Sequence, residues 1–247
     1  MNKILEIENL NKVYKNERGI FDLNLDIDKG DIFGFLGPNG AGKTTTMKIM
    51  TGLMKQDSGN VKIFGYNIRE DFERALENVG CIIETVEAFS YMTAYDNLKY
   101  VSRYYNNIDK NRIDDVLELV GLHKYKKEKV KGFSLGMKQR LGIATAIINK
   151  PKLAILDEPL NGLDVEGMLE FRKLIKNISE KENTTFFISS HLIHDVELTC
   201  NRVGIIIGGK LLNVDYIDNI LMSYESLEKY FVREVEKNEN IQNGIIK

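Results

Sequence analysis

The residues with the clearest chemistry form a short glycine-rich segment between an apolar run and a helical pattern. The segment reads Gly37, Pro38, Asn39, Gly40, Ala41, Gly42, Lys43 and Thr44. It fits the pattern G-x-x-x-x-G-K-[ST] in the strand–helix context that this pattern requires. Its glycines let successive N–H groups face one phosphate chain, and the positive end of the helix faces the same point. We therefore predict a phosphate cradle (residues 37–45), which ends with Thr45.

Two side chains of the phosphate cradle add chemistry to its backbone. Lys43 supplies a positive charge for the β- and γ-phosphates, and Thr44 supplies a hydroxyl oxygen of the kind that Mg²⁺ prefers. Nucleotide kinases and GTPases share this pattern. It therefore predicts nucleotide binding with Mg²⁺ but leaves the reaction open.

An acidic pair follows a second apolar run. Leu153–Leu156 is typical of a buried strand, and Asp157 and Glu158 come directly after it. Ligands of open α/β sheets bind at the carboxyl ends of strands. Asp157 is thus placed to hold Mg²⁺ through water, and Glu158 to orient and polarise an attacking water. A solvated loop would also suit such a pair in isolation, but the phosphate cradle favours the catalytic interpretation.

A histidine ends a third apolar run, which reads Phe-Phe-Ile-Ser-Ser-His over residues 186–191. His191 has the hydrogen-bonding groups to contact a γ-phosphate and hold the water. A lone histidine is more often structural, and only its place at a strand end favours a functional role. Our candidate catalytic residues are therefore Lys43, Glu158 and His191.

These residues require a frame of alternating strands and helices. Strand patterns occur on both sides of residues 84–150, a region that instead shows three stretches of helical spacing. The alternation predicts an α/β fold with a mainly parallel sheet. We divide the chain into an α/β core (1–83 and 151–214), a helical lobe (84–150) and a C-terminal tail (215–247) with one amphipathic helix.

Composition narrows the class of protein. The chain has 247 residues, 43% of them hydrophobic, and a net charge of −2, so we expect a globular protein without nucleic acid as its partner. Cys81 and Cys200 form no CxxC pair, which suits a reducing cytoplasm. No apolar run approaches the roughly 18 residues needed to cross a bilayer. If the protein serves a membrane process, we therefore expect another polypeptide to span the bilayer.

A fourth segment, Phe-Ser-Leu-Gly-Met-Lys-Gln-Arg at residues 133–140, carries a resemblance. The chain resembles the ATP-binding subunits of ABC transporters, whose L-S-G-G-Q signature lies at this position. Ser134 and Gly136 match that signature, whereas Leu135 and Met137 depart from it. Tyr14 resembles the family's adenine-stacking aromatic, and Asp164 ends a loop that resembles the one touching the partner subunit. The resemblance covers about residues 1–215.

The resemblance implies a P-loop ATPase fold with an antiparallel β portion near the N-terminus and an inserted helical lobe. It also implies ATP and Mg²⁺ as cofactors and a head-to-tail dimer in which Ser134 and Gly136 serve the other copy's ATP. The partners would be membrane-spanning subunits on separate chains. The expected location is the cytoplasm, on the inner face of the cell membrane.

One departure narrows the resemblance further. The family usually has a glutamine where the strand before the helical lobe ends, and here that residue is Glu84, with Glu87 as the alternative assignment. A glutamate there, with this form of signature, is similar to the bacitracin and lantibiotic exporter subgroup. Glu84 would then be a third metal-site residue beside Thr44 and Asp157, unless it is only a surface acid.

Other interpretations remain open. A related ATPase acting on ribosomes or DNA usually has two cassettes or a long coiled coil, and this chain shows neither. A P-loop kinase or GTPase would not explain the segment 133–140. A pseudo-ATPase, which binds nucleotide without hydrolysing it, is disfavoured because Lys43, Glu158 and His191 are all present. An ABC subunit that exports an unrelated substrate is a further alternative.

Overall fold

The structure, a computed structural model, describes residues 3–85, 88–106 and 108–242. Its strands are β1 Lys3–Val13, β2 Gly19–Asp28, β3 Ile32–Leu36, β4 Ser58–Ile63, β5 Tyr66–Asn67, β6 Val79–Ile82, β7 Leu153–Leu156, β8 Thr185–Ser190, β9 Arg202–Ile207 and β10 Lys210–Tyr216. Its α-helices are α1 Lys43–Met50, α2 Phe72–Leu76, α3 Ala94–Ser102, α4 Arg112–Leu119, α5 Leu135–Ile147, α6 Val165–Glu182, α7 Ile193–Thr199, α8 Ile217–Ser223 and α9 Leu227–Gln242.

The strands form two sheets. An antiparallel sheet has the order β2-β1-β4-β5, and a six-stranded sheet has the order β10-β9-β3-β8-β7-β6. Every pairing in the larger sheet is parallel except β9 with β10. All residues of β7 and β8 are buried, as expected for parallel strands covered on both faces. Buried and exposed residues alternate in β2, which suits a strand buried on one face. The α/β fold with an antiparallel N-terminal portion is confirmed.

The larger sheet brings the candidate residues to one edge. Strands β3, β8 and β7 are neighbours, with Leu36 opposite Ser190 and Leu156 opposite Ile188. The three strands run parallel, so their carboxyl ends lie side by side. β3 leads into the phosphate cradle, β7 into the acidic pair and β8 into the histidine.

The helical lobe contains α3, α4 and α5, and it shares its apolar core with the sheet. One cluster of buried side chains includes Leu98 of α3 and Leu117 of α4 together with Phe186 of β8. A β-carbon on Gly80 would lie 1.8 Å from the carbonyl oxygen of Ala146. Only glycine at that position of β6 lets α5 pack so closely on the sheet.

The expectation of one helix after residue 215 is wrong, because the tail contains both α8 and α9. Tyr224, in extended conformation, ends α8. The Ser226 hydroxyl accepts a hydrogen bond from the Lys229 N–H at 3.3 Å, and this cap starts α9. The sheet also continues into β10, which the sequence patterns did not predict. None of the helices in the described ranges is long and apolar enough to cross a membrane.

Candidate nucleotide-binding site

The phosphate cradle has the backbone that its glycines predict. Gly40 and Gly42 have φ angles of 80° and 108°, in the left-handed region where other residues are strained. A β-carbon on Gly37 would lie 2.2 Å from the carbonyl oxygen of Ile206. Helix α1 begins directly afterwards, at Lys43, so its free N–H groups face the bend. This is the geometry of an anion-binding loop.

A cavity of about 340 Å³ opens over the phosphate cradle. It is lined by residues of the cradle, by residues at and just before the start of β2, and by one member of the acidic pair: Tyr14, Asn16, Arg18, Gly19, Asn39, Gly40, Gly42, Lys43, Thr44, Thr45 and Glu158. The lining is rich in backbone donors and cations, which suits a polyanionic ligand.

Lys43 lines this cavity, and only 5% of its side chain is exposed. Its ammonium donates to the carbonyl oxygens of Gly37 at 2.6 Å and Pro38 at 3.2 Å. The same nitrogen lies 2.9 Å from Glu158 Oε1, so the buried cation and the candidate base form an ion pair. Lys43 is thus oriented toward the point where the phosphates would lie.

Asp157 accepts hydrogen bonds from two hydroxyls, one in helix α1 and one in strand β8. Thr44 Oγ1 donates to Asp157 Oδ2 at 2.8 Å, and Ser189 Oγ donates to Oδ1 at 2.6 Å. Ser189 Oγ also accepts the N–H of Glu158 at 2.8 Å. The Ser189 side chain therefore fixes the two acidic residues relative to each other.

Glu158 is held between Lys43 and His191. Its second oxygen, Oε2, lies 2.9 Å from Nδ1 of His191, which is placed to donate to it. Its φ angle of 46° falls in the left-handed region, a conformation that concentrates at functional sites. Glu158 is thus in direct contact with both of the other candidate catalytic residues, although the three are distant in the sequence.

The oxygen donors of this site fit a magnesium ion. Thr44 and Asp157 place a hydroxyl and a carboxylate next to each other, and both are hard ligands that Mg²⁺ accepts. The described part of the chain contains no group of three or more His, Cys, Asp or Glu residues suited to a metal. A metal here would therefore complete its shell with phosphate oxygens and water, as Mg²⁺ usually does.

Tyr14 lies at the cavity rim, and its residue is 39% exposed. Its hydroxyl is 3.1 Å from Thr45 Oγ1 and donates to the sulfur of Met54 at 3.2 Å. These contacts hold the ring beside the phosphate cradle with one part open to solvent. Stacking of this ring on adenine stays a prediction.

Ser134 and Asp164 lie outside the lining of this cavity and act as helix caps. Ser134 Oγ accepts the N–H of Met137 at 3.2 Å and starts α5, which also carries Gly136. Asp164 Oδ1 accepts the N–H of Gly167 at 2.8 Å and starts α6. Both capping residues are exposed at the positive ends of their helices.

Glu84 is not in contact with the other candidate metal residues. Its carboxylate lies 2.5 Å from the ammonium of Lys48, which is one turn beyond Thr44 in α1. The Glu84 side chain is 60% exposed and its φ angle is 68°. The alternative residue, Glu87, lies outside the described residues.

Comparison with known proteins decides the family. The model of the family described as "ABC transporter" matches residues 20–161, more than half of the chain. The chain belongs to the ABC transporter family. It is an ATP-binding subunit, and as such it hydrolyses ATP.

Individual relatives of this ABC subunit carry more specific names. It is 44% identical over 220 residues to the bacitracin transport ATP-binding protein BcrA of Bacillus licheniformis, covering 89% of this chain and 72% of that protein. It is 41% identical over 232 residues to the lantibiotic transport ATP-binding protein SrtF of Streptococcus pyogenes, covering 94% and 97%. A solved ATP-binding subunit of an ABC transporter superposes with a TM-score of 0.81 at 26% identity, covering 94% and 99%.

Three residues at or near the site of this ABC subunit were not predicted from the sequence: Ser189, Arg18 and Lys48. Ser189 was interpreted only as part of a strand, although a hydroxyl at a strand end beside an acidic pair was a usable signal. Arg18 lines the cavity but follows no motif. Lys48 could be connected with Glu84 only through the fold, because 36 residues separate them.

Proposed function

We propose that this ABC subunit uses Glu158 as the base that activates water, with Lys43 and His191 contacting the phosphates. The observation that carries the proposal is the direct contact of Glu158 with both residues, at 2.9 Å each. Phosphoryl transfer requires mainly positioning and charge stabilisation from the protein. Thr44 and Asp157 would hold Mg²⁺, which would neutralise charge on the phosphates.

The second element of the proposal is a head-to-tail dimer. The N-terminal ends of α5 and α6 are exposed and lie outside the cavity of their own chain, so their positive ends have no phosphate to bind there. In a closed dimer, Ser134 and Gly136 of one copy would complete the ATP site of the other. ATP binding would favour the closed dimer and hydrolysis would release it.

The third element is the transported substrate. The bacitracin and lantibiotic names of its relatives support export of a peptide antibiotic, which gives resistance or self-immunity. The chain would lie on the inner face of the membrane beneath separate membrane-spanning subunits. Glu84, at the junction of core and helical lobe, would pass the movement of the lobe to those subunits.

Resistance measurements test this function. Cells that express the chain with its neighbouring membrane proteins are compared with cells that carry Glu158→Gln, with bacitracin, a lantibiotic and an unrelated antibiotic as challenges. We expect resistance to one peptide antibiotic and its loss in the variant. Membrane fractionation is the second readout, because co-sedimentation with ribosomes in place of membranes would favour the alternative ATPase. Equal resistance in both strains to every compound would reject the export proposal.

A further inference from the structure

Two of the catalytic side chains depend on loops that lead directly into helices. Glu158 is followed by a short loop and then α6, and His191 is followed after one residue by α7. The distance of 2.9 Å between Glu158 and His191 therefore depends on how α6 and α7 are held relative to each other. Their mutual position is a condition for the chemistry.

Helix α7 is short and has no side-chain cap at its N-terminus, so its position depends on contacts with neighbouring elements. It has seven residues, and its N-cap residue, Leu192, provides no side-chain cap. Apolar packing holds one side, where Val196 fits against the space left by Gly34 of β3. Glu197 holds a second side, since its carboxylate accepts the N–H of Leu227 at the start of α9 at 2.6 Å.

On the side of α7 that faces α6, an ion pair joins the two helices. Arg172 donates to Asp195 Oδ1 through Nε at 3.1 Å and through Nη2. The side chains are only 17% and 8% exposed. Two donors on one carboxylate oxygen fix direction as well as distance, which a single contact does not.

We propose that Arg172 and Asp195 are positioning residues, which hold the helix after His191 against the helix after Glu158 so that imidazole and carboxylate stay in contact. This inference rests on the catalytic roles proposed above. Neither side chain is among the residues that line the nucleotide cavity. The ion pair acts through the three residues between His191 and Asp195 and through the body of α6. Loss of the pair therefore reduces turnover more than nucleotide affinity.

A second buried ion pair on α6 provides a matched control. Glu182, the last residue of α6, binds Arg112 through both oxygens, at 2.5 and 2.9 Å, with exposed fractions of 11% and 5%. Glu182 lies ten residues beyond Arg172, about 15 Å along the helix. Glu182→Gln removes a comparably buried charge far from the site, so it shows the effect of lost stability alone.

The experiment compares Arg172→Met, Arg172→Lys and Glu182→Gln in the purified full chain. Phosphate release against Mg-ATP concentration gives kcat and KM, a fluorescent ATP analogue gives affinity, and thermal melting gives Tm. We expect Arg172→Met to lower kcat at least tenfold and to keep the affinity for the ATP analogue within twofold of the parent. The kcat of Arg172→Lys should lie between those of Arg172→Met and the parent. Glu182→Gln should lower Tm and keep kcat within twofold. If Arg172→Met does not fold, Arg172→Lys still tests the pair, because it keeps the charge and loses the two-donor contact.

A spectroscopic readout separates positioning from stability. The chain has three histidines, so the ring signals in an NMR spectrum are few, and His191→Gln assigns the relevant one. We expect the His191 signal to move in Arg172→Met and to stay in place in Glu182→Gln. An unmoved signal with kcat within twofold of the parent would overturn the proposal, as would an equal loss of kcat in Glu182→Gln.

Failure of the catalytic assignment itself has a different outcome. If Glu158→Gln and His191→Ala both hydrolyse ATP at the parental rate, the roles in the proposed function are rejected without any change at Arg172. If both lose hydrolysis while Arg172→Met and Arg172→Lys keep it, only the positioning role is rejected.

Discussion

Replacing Glu158 by glutamine separates catalysis from folding at this site. The amide keeps the shape of the side chain, so its carbonyl oxygen can stay close to the Lys43 ammonium. Lys43 also keeps its hydrogen bonds to the carbonyls of Gly37 at 2.6 Å and Pro38 at 3.2 Å. Breaking a buried ion pair by leaving one partner alone costs about 3–5 kcal/mol. Because Lys43 is not left alone, we expect a cost nearer about 1 kcal/mol, the net value of one hydrogen bond.

The catalytic loss from the same change should be much larger. Removing a positioned general base typically lowers a rate by about 10²–10⁴-fold. At about 1.4 kcal/mol per factor of ten, this corresponds to roughly 3–5.5 kcal/mol of barrier. A stability loss of about 1 kcal/mol lowers Tm by only about 2–4 °C in a domain of this size. The variant should therefore be folded and inactive.

Three measurements on Glu158→Gln test this reasoning. Phosphate release at saturating Mg-ATP should fall by at least a hundredfold, Tm without nucleotide should change by a few degrees, and size-exclusion chromatography with Mg-ATP should show an accumulating dimer. Glu180→Gln, an exposed acid on α6, is the control that should leave all three unchanged. Monomers throughout, with hydrolysis near the parental rate, would refute the assignment of the base.

Four further predictions concern Lys43, Ser134, Glu84 and the two cysteines. Lys43→Ala should abolish turnover while circular dichroism stays native, and unchanged ATPase activity of the assembled transporter would contradict the role of the cradle. Ser134→Arg should block turnover, and mixing it with Lys43→Ala subunits should restore some phosphate release if the signature acts on the other copy's ATP. Glu84→Gln should keep substantial ATPase activity with a modestly weaker Mg²⁺ dependence, whereas Glu84→Ala should uncouple hydrolysis from transport; parental behaviour of Glu84→Ala in both assays would make it a surface acid. Burial raises the pKa of the Cys200 thiol to about 12, so this thiol stays protonated at pH 8. We therefore expect iodoacetamide to label the exposed Cys81 first and Cys200 only after unfolding, which mass spectrometry would measure.

Local sequence patterns predicted the parts of the fold that short-range physics controls. Leu153–Leu156 is an uninterrupted apolar run, and it became a strand buried on both faces. The bend of the phosphate cradle is formed by residues that are consecutive in the sequence, among them Gly42 and Lys43. The cradle could therefore be predicted from neighbouring residues alone. β10 was missed because its residues are exposed or only partly buried, which leaves no clear alternation.

Contacts between distant segments could not be predicted from such patterns. Ser189 and Asp157 are 32 residues apart, and only the pairing of β7 with β8 brings the hydroxyl to the carboxylate. The same is true of Lys48 and Glu84, whose ion pair depends on how α1 approaches the end of β6. The sequence patterns indicated which residues carry charge, and the sheet order determined which charges meet.

The ion pair between Lys43 and Glu158 affects how strongly this site attracts a phosphate. The buried ammonium already has a counter-ion, supplied by the chain itself. An arriving phosphate must compete with that carboxylate for Lys43, so part of the electrostatic attraction is cancelled by the contact that is lost. Glu158 would keep its contact with His191 at 2.9 Å when Lys43 turns to the phosphate. The same carboxylate that is proposed to activate water therefore also sets part of the cost of binding the nucleotide.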